Sequence, residues 1–150
     1  MAALPPQLST SRLPTRVLVD SNVIIDITSD DPQWFDWSAA WLRALKRSRL
    51  LINPLILAEV GVLAESAEEV EELEARLGLE RMQLPWEAAF LAGRAFVAYR
   101  RAGGKRSAPL PDFYIGAHAQ VTGLTLLTRD ARRYRSYFPD LRLIAPDTTP

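Results

Sequence analysis

The chain has 150 residues, of which 48% are apolar and 24% charged, the composition of an ordinary globular domain and a length that fits one domain. Eighteen Lys and Arg balance eighteen Asp and Glu, so no global basic field announces a nucleic-acid partner. The absence of cysteine excludes a disulfide framework, Cys-ligated zinc or iron–sulfur and a thiol nucleophile, and the single histidine, His118, excludes a multi-His metal site.

Residues 1–15 hold three prolines and one charge, Arg12, without a basic segment leading into a long apolar one. They read as a flexible or edge-draped lead-in rather than a signal peptide, and a domain is expected over 16–150. No apolar run approaches about 18 residues, so no membrane span and a cytoplasmic location are expected.

Arg16–Asp20 is a β-branched run ending in an acid and predicts a buried strand. A short helix is expected from Asn22. Asp31-Pro32 predicts the next helix start, and Trp34, Trp37, Trp41 and Leu45 recur on one face, a core stripe. Leu50–Ile52 predicts a second strand. Asn53-Pro54 opens a helix whose residues Leu55 to Ala64 are apolar nearly all round, so burial on every side is expected. Ser66 and Glu69 form a capping box before a helix that stops at Gly78. Arg81–Leu84 is a candidate edge strand. Trp86 to Arg101 predicts a longer helix with Ala89, Phe90, Gly93, Phe96 and Val97 facing inward. Pro111-Asp112 opens a helix that ends at Gly123, Leu124–Leu127 predicts a strand, Arg129–Tyr137 a short helix and Leu141–Ile144 a last strand. Strands separated by helices imply an α/β fold with three layers, helices on both faces of a mainly parallel sheet of four to five strands.

Charge is segregated. Glu59 to Glu80 holds eight acids and one base, Arg76; Arg94 to Arg106 holds five bases and no acid. A further basic cluster, Arg129, Arg132, Arg133 and Arg135, surrounds Asp130. Solvated helix faces explain such runs, and so does a local basic rim that attracts phosphates.

Four acids stand out. Asp20 ends the first strand, and Asp130 follows the Leu124–Leu127 strand by three residues, so both belong at the carboxyl ends of parallel strands, where ligands bind. Glu59 is the only charge between Leu55 and Ala64 and lacks an obvious local partner. Asp112 sits at a helix start, where an N-cap role competes with a ligand role. Asp26 reads as a surface or helix-end residue. Two carboxylates ~5 Å apart at an effective dielectric of ~20 repel by about 3 kcal/mol, which a divalent cation would reverse. Oxygen ligands without His or Cys select Mg²⁺ or Mn²⁺, and such ions take further ligands from phosphates. The chain has no Walker A loop and no glycine fingerprint after the first strand.

VLVDSNVIID (Val17–Asp26), INPLILAEV (Ile52–Val60), LPDFYIGAHA (Leu110–Ala119) and LLTRDARRYRSYFPDLRLIAP (Leu126–Pro146) together resemble the PIN-domain ribonucleases, and within them the VapC type, the toxin of a VapBC toxin–antitoxin pair. The resemblance implies an acidic quartet of Asp20, Glu59, Asp112 and Asp130 holding one or two Mg²⁺ or Mn²⁺ ions, with Asn22 and Thr128 in support. It implies metal-dependent endonucleolytic cleavage of RNA. It also implies a homodimer and a VapB-type antitoxin that covers a basic groove and alone contacts DNA, with the apolar faces at Leu55–Ala64 and Trp86–Val97 available to these partners. Arg129, Lys105 and Arg106 are candidate phosphate contacts. His118 lies about 600° round a helix from Asp112 and reads as structural. Two alternatives remain: a PIN-fold RNA- or protein-binding module with vestigial activity, and an unrelated Mg²⁺-dependent phosphohydrolase with a similar sheet, for which the single acid in Asp20-Ser21-Asn22 disfavours the haloacid-dehalogenase scheme.

Overall fold

Five short strands lie side by side in one sheet, and every neighbouring pair is parallel. The computed structural model describes residues 13–105 and 110–146. The strands are β1 (Arg16–Val19), β2 (Arg49–Ile52), β3 (Leu79–Arg81), β4 (Thr125–Leu127) and β5 (Leu143–Ile144), in the spatial order β3-β2-β1-β4-β5. The helices are α1 (Ser21–Thr28), α2 (Phe35–Ala44), α3 (Pro54–Gly61), α4 (Ala67–Leu77), α5 (Trp86–Arg101), α6 (Pro111–Thr122) and α7 (Arg132–Tyr137). A parallel ladder needs a crossover at every step, and the right-handed sense of crossovers sends helices to opposite faces when the winding direction reverses. That reversal falls between β1 and β4. Accordingly α1 packs on α2 and α3, and α3 on α4, while α5, α6 and α7 pack on one another. The two helix groups meet where α3 touches α6.

The central strands are buried on both faces. Val17, Leu18, Val19, Leu126 and Leu127 are fully inaccessible, and Trp37, Trp41, Leu45, Phe113 and Phe138 fill the layers around them. The α/β expectation therefore holds, including the sheet's size and parallel sense. The lead-in is tied down at its end: Leu13 packs on the core, Pro14 O accepts from Ser48 Oγ and Thr15 O accepts from Arg49 N. Residues 1–12 of that lead-in lie outside the described residues.

Several elements differ from expectation for local reasons. Asp31 accepts from the N–H groups of Gln33 and Trp34 and so closes a turn, and α2 begins only at Phe35. The edge strand forms at Leu79–Arg81, immediately after Gly78, rather than at Arg81–Leu84. Helix α3 stops at Gly61 and is not enclosed: Ala58 is exposed, Leu55 and Leu57 are half-buried, and Val62 and Leu63 stand in solvent. Helix α5 turns a rotated face inward; of its expected bulky residues Phe96 packs on the core, against Phe113. Its buried residues are Ala88, Ala92 and Ala95, whereas Trp86 and Phe90 are 90% and 72% exposed and Val97 is exposed too. Alanines without long side chains permit close approach to α6, and that gain outweighs burying two aromatic rings on a face that has nothing to meet.

Gly116 of α6 lies against the rings of Tyr134 on α7 and Phe138 just after it. A Cβ at Gly116 would stand 2.6 Å from Phe138 Cε2 and 3.1 Å from Tyr134 Cδ1, both on buried rings. Gly116→Ala is therefore expected to destabilise the fold by about 1–3 kcal/mol, the range for overpacking a filled core. Thermal melting should fall by several degrees; an unchanged melting temperature would show that α7 yields freely.

Candidate active site

Asp20 occupies the junction between β1 and α1. Its N–H still belongs to the sheet, donating to Leu127 O at 2.9 Å, while its side chain caps the helix, Oδ1 accepting from Ser21 N at 2.8 Å. The carboxylate is 3% exposed. Oδ2 accepts from Thr128 Oγ1 at 2.9 Å, Tyr134 Oη at 3.0 Å and Asn22 Nδ2 at 3.4 Å. Burial outweighs these donors, and the charges of Asp112 and Glu59 add to it, so the carboxyl is pushed up to about 6.

Glu59 and Asp112 reach the same place from the two helix groups. Asn53 Oδ1 accepts from Ile56 N and starts α3, and Asn53 Nδ2 meets His118 Nδ1 on α6 at 3.0 Å. This buried bridge pins α3, which carries Glu59, to α6, which carries Asp112. His118 is fully buried, and burial draws its pKa down, so it serves packing here. Glu59 is half-buried; its Oε1 is buried without a partner among the described residues. Burial raises its pKa, a Ser21 hydrogen bond lowers it and Asp112 raises it again. Asp112 lies in the first turn of α6, and its Oδ2 accepts from Arg133 Nη1 at 3.0 Å. That guanidinium also lies over the rings of Tyr99 and Phe113, with centroids 5.9 and 5.8 Å away. The charges of Asp112 and Glu59 thus act on Asp20, and that of Asp112 on Glu59. Asp130 stands at the rim, exposed, its N–H donating to Thr128 Oγ1 at 3.1 Å. Asp112 and Asp130 line one cavity of about 470 Å³ together with Arg132, Arg133 and Tyr137.

The family model of the PIN domain matches residues 17–139. The chain belongs to the PIN-domain family. Among the curated proteins, none matches. Solved structures share the fold. VapBC2 from Rickettsia felis, bound to a promoter DNA fragment, is 20% identical with a TM-score of 0.66 over 88% of this chain and 99% of that one. VapBC-1 from nontypeable Haemophilus influenzae is 16% identical, TM-score 0.64, over 87% and 97%. VapBC-5 from Mycobacterium tuberculosis, a member of the VapBC family of toxin–antitoxin systems, is 19% identical, TM-score 0.53, over 89% and 98%.

The donor set of this PIN domain suits a hard divalent cation. It offers carboxylates alone, one of them with an orphaned buried oxygen, and their repulsion is what a cation relieves. As they stand, no three such groups among the described residues close on one point, and Arg133 holds Asp112. Two expectations are corrected. Asp26 is not a surface residue: it is fully buried, accepting from Ser38 Oγ at 2.8 Å and Arg129 Nε at 3.0 Å. Burial raises its pKa, and Ser38 and Arg129 pull it back. Glu59 sits not inside a fully buried helix but on the open side of a half-covered one. Lys105 is exposed, and Arg106 lies outside the described residues. Sequence reasoning missed Tyr134, although Tyr134 and Phe138, four apart, mark the inward face of α7; nothing in the sequence marked Arg133 as the partner of Asp112.

The raised pKa of Asp20 gives a signed test. Between about pH 4 and pH 6 the folded carboxyl keeps a proton that the unfolded chain has lost. The resulting penalty therefore grows as pH rises through that window and stands complete above it, up to about 3 kcal/mol. Asp20→Asn never carries the penalty. In EDTA, the melting temperature of Asp20→Asn relative to wild type is expected to be several degrees higher at pH 7 than the same comparison at pH 5. A difference independent of pH would place the Asp20 pKa near its ordinary value.

Proposed function

We propose that this PIN domain is a Mg²⁺- or Mn²⁺-dependent endoribonuclease and the toxin component of a type II toxin–antitoxin system. One observation carries the reading: Asp20, Glu59 and Asp112, far apart in sequence, lie near enough at the carboxyl end of the sheet that Asp112 and Glu59 raise the proton affinity of Asp20, and Asp112 that of Glu59. A protein that needed only stability would place an arginine or an apolar residue there. When bound, one or two such ions would polarise the phosphodiester and supply a water of lowered pKa. Asp20 and Asp112 would be the central ligands, with Glu59 and Asp130 as further ligands or as acceptors that orient the attacking water. Asn22, Thr128 and Tyr134 hold Asp20 by donating to the same oxygen, Oδ2. Arg132 and Arg133, beside Asp112, would meet the substrate backbone.

The likeness to VapBC complexes supports a VapB-type antitoxin as partner, with any DNA contact made through it. The exposed Trp86 and Phe90 on α5, and Val62 and Leu63 after α3, are apolar surfaces that a second copy or the antitoxin would cover. No helix among the described residues is long and apolar enough to cross a membrane, and a cytoplasmic setting fits that partner.

The deciding experiment is cleavage of labelled cellular RNA by purified protein in Mg²⁺, Mn²⁺ and EDTA. Cuts at defined positions with either metal, absent in EDTA and in Asp112→Asn, are expected. Metal binding without any cutting would favour the binding-module alternative.

Two binding predictions accompany it. Mn²⁺ at 100 times its Kd should stabilise the protein by about 2.7 kcal/mol at pH 7. The gain should shrink below pH 6, because Asp20 must lose its proton to ligate. Equal melting in Mn²⁺ and EDTA at pH 7 would remove the site. Arg133→Met, which keeps an apolar contact with Tyr99 and Phe113 but frees Asp112 of a competing cation, should bind Mn²⁺ several-fold more tightly by calorimetry. Weaker binding would make Arg133 a support of the site instead.

A further inference from the structure

The most deeply buried carboxylate outside the quartet is Asp26, fully inaccessible on α1. Both its oxygens are used. Oδ2 accepts from Ser38 Oγ of α2 at 2.8 Å, and Oδ1 accepts from Arg129 Nε at 3.0 Å. Arg129 belongs to the loop between β4 and α7, flanked by Thr128 and Asp130. Its guanidinium lies 5.6 Å from the centre of the Trp34 ring, and its side chain is 32% exposed. Its own N–H donates to Asn22 Oδ1 at 3.3 Å. Asn22 Nδ2 in turn donates to Thr128 Oγ1 at 3.1 Å, and Thr128 Oγ1 donates to Asp20 Oδ2 at 2.9 Å. The loop that delivers Thr128 and Asp130 is therefore fastened on one side by an ion pair to the buried Asp26 and on the other by Asp20 itself.

We infer that Asp26 and Arg129 are a positioning pair that fixes the Thr128–Asp130 loop against Asp20, and that Arg129 is not a phosphate contact. The inference rests on the nuclease reading above. Three features of the pair support it. A fully desolvated carboxylate is tolerated only with a partner, and Arg129 is the cation that Asp26 has. Nε binding together with ring stacking fixes the plane of the guanidinium, a geometry lysine cannot copy. And the same arginine's backbone closes the hydrogen-bond chain to Asp20, so any loss of the side-chain anchor moves the groups that orient the central carboxylate. With Nε committed to Asp26, a phosphate contact would be left to the two Nη groups alone.

The test compares Asp26→Asn/Arg129→Gln with wild type, neutralising both charges of the pair together so that the buried Asp26 is not left alone. Arg129→Lys is the conservative control. Folding is checked by melting before each assay. The double variant is expected to lose at least tenfold in kcat on an RNA substrate of the wild type, with KM within twofold and the salt dependence of KM unchanged. Its Mn²⁺ affinity by calorimetry should fall several-fold. Arg129→Lys should keep the low kcat, because charge without the planar fork does not restore the loop.

A raised KM with kcat retained, a shallower salt dependence and rescue by lysine would overturn the inference and make Arg129 a phosphate contact. Wild-type values for kcat and Mn²⁺ affinity in a folded double variant would overturn it too, leaving the nuclease reading intact. A wild type that neither binds Mn²⁺ nor cuts RNA removes that reading, and this inference falls with it.

Discussion

A carboxylate held at the end of a buried parallel strand sets the terms for the whole molecule. Asp20 is simultaneously the last residue hydrogen-bonded to the sheet, the cap of α1 and the acceptor for hydroxyls from β4's end and from α7. Each of those donors comes from a different stretch of chain, and each is placed by the core. Remove the side chain and the helix start, the Thr128 contact and the Tyr134 hydroxyl all lose their common acceptor. A carboxylate this buried is costly unless something compensates it, and the hydrogen bonds do so only in part. The residual tension is the most informative physical property of the site.

The second organising contact is the meeting of the two helix groups. In a doubly wound sheet the faces are separated by the sheet itself, so side chains on opposite faces meet only around its edges or ends. Here α3 and α6 meet at the carboxyl end through Asn53 and His118, one capping α3 and the other lying mid-way along α6. Glu59 and Asp112 are carried by the same two helices. The one histidine of the chain thus acts at a distance from the chemistry, by holding apart and together the elements that bear it.

Much of this was legible in the sequence where period and punctuation were strong. RVLVD, LLI and TLL are short apolar runs between helix signals, and they are strands. Asn53-Pro54 and Ser66 are caps, and Asn53 Oδ1 and Ser66 Oγ accept the bonds expected of them. The four acids were visible because each broke a local pattern. What failed was orientation. The α5 face was assigned to the bulky residues, but its alanines face inward because α6 comes close, a fact of tertiary packing that periodicity does not contain. Asp26 was assigned to the surface because a charge on a short amphipathic helix ordinarily is; its partner lies 103 positions away at Arg129. Arg133 and Tyr134 were unreadable for the same reason, since their partners, Asp112 and Asp20, lie 21 and 114 positions off.

The sheet's connectivity also orders events in time. Val17 pairs with Leu50 on one side and with Thr125 on the other. As the chain leaves the ribosome, β1, β2 and β3 are complete by residue 81, with Asp20 and Glu59 both present. Asp112, Thr128 and Tyr134 follow only later, and at roughly 5–20 residues per second that interval lasts seconds. Until β4 arrives, the sheet has an open edge at β1 and Asp20 lacks Thr128; until α7 arrives, it lacks the Tyr134 hydroxyl. Nascent chains, and fragments cut anywhere before β4, therefore lack Thr128, Asp130 and Tyr134 around Asp20. Whatever chemistry the protein performs, Asp20 gains its full set of donors only once Tyr134 has been made.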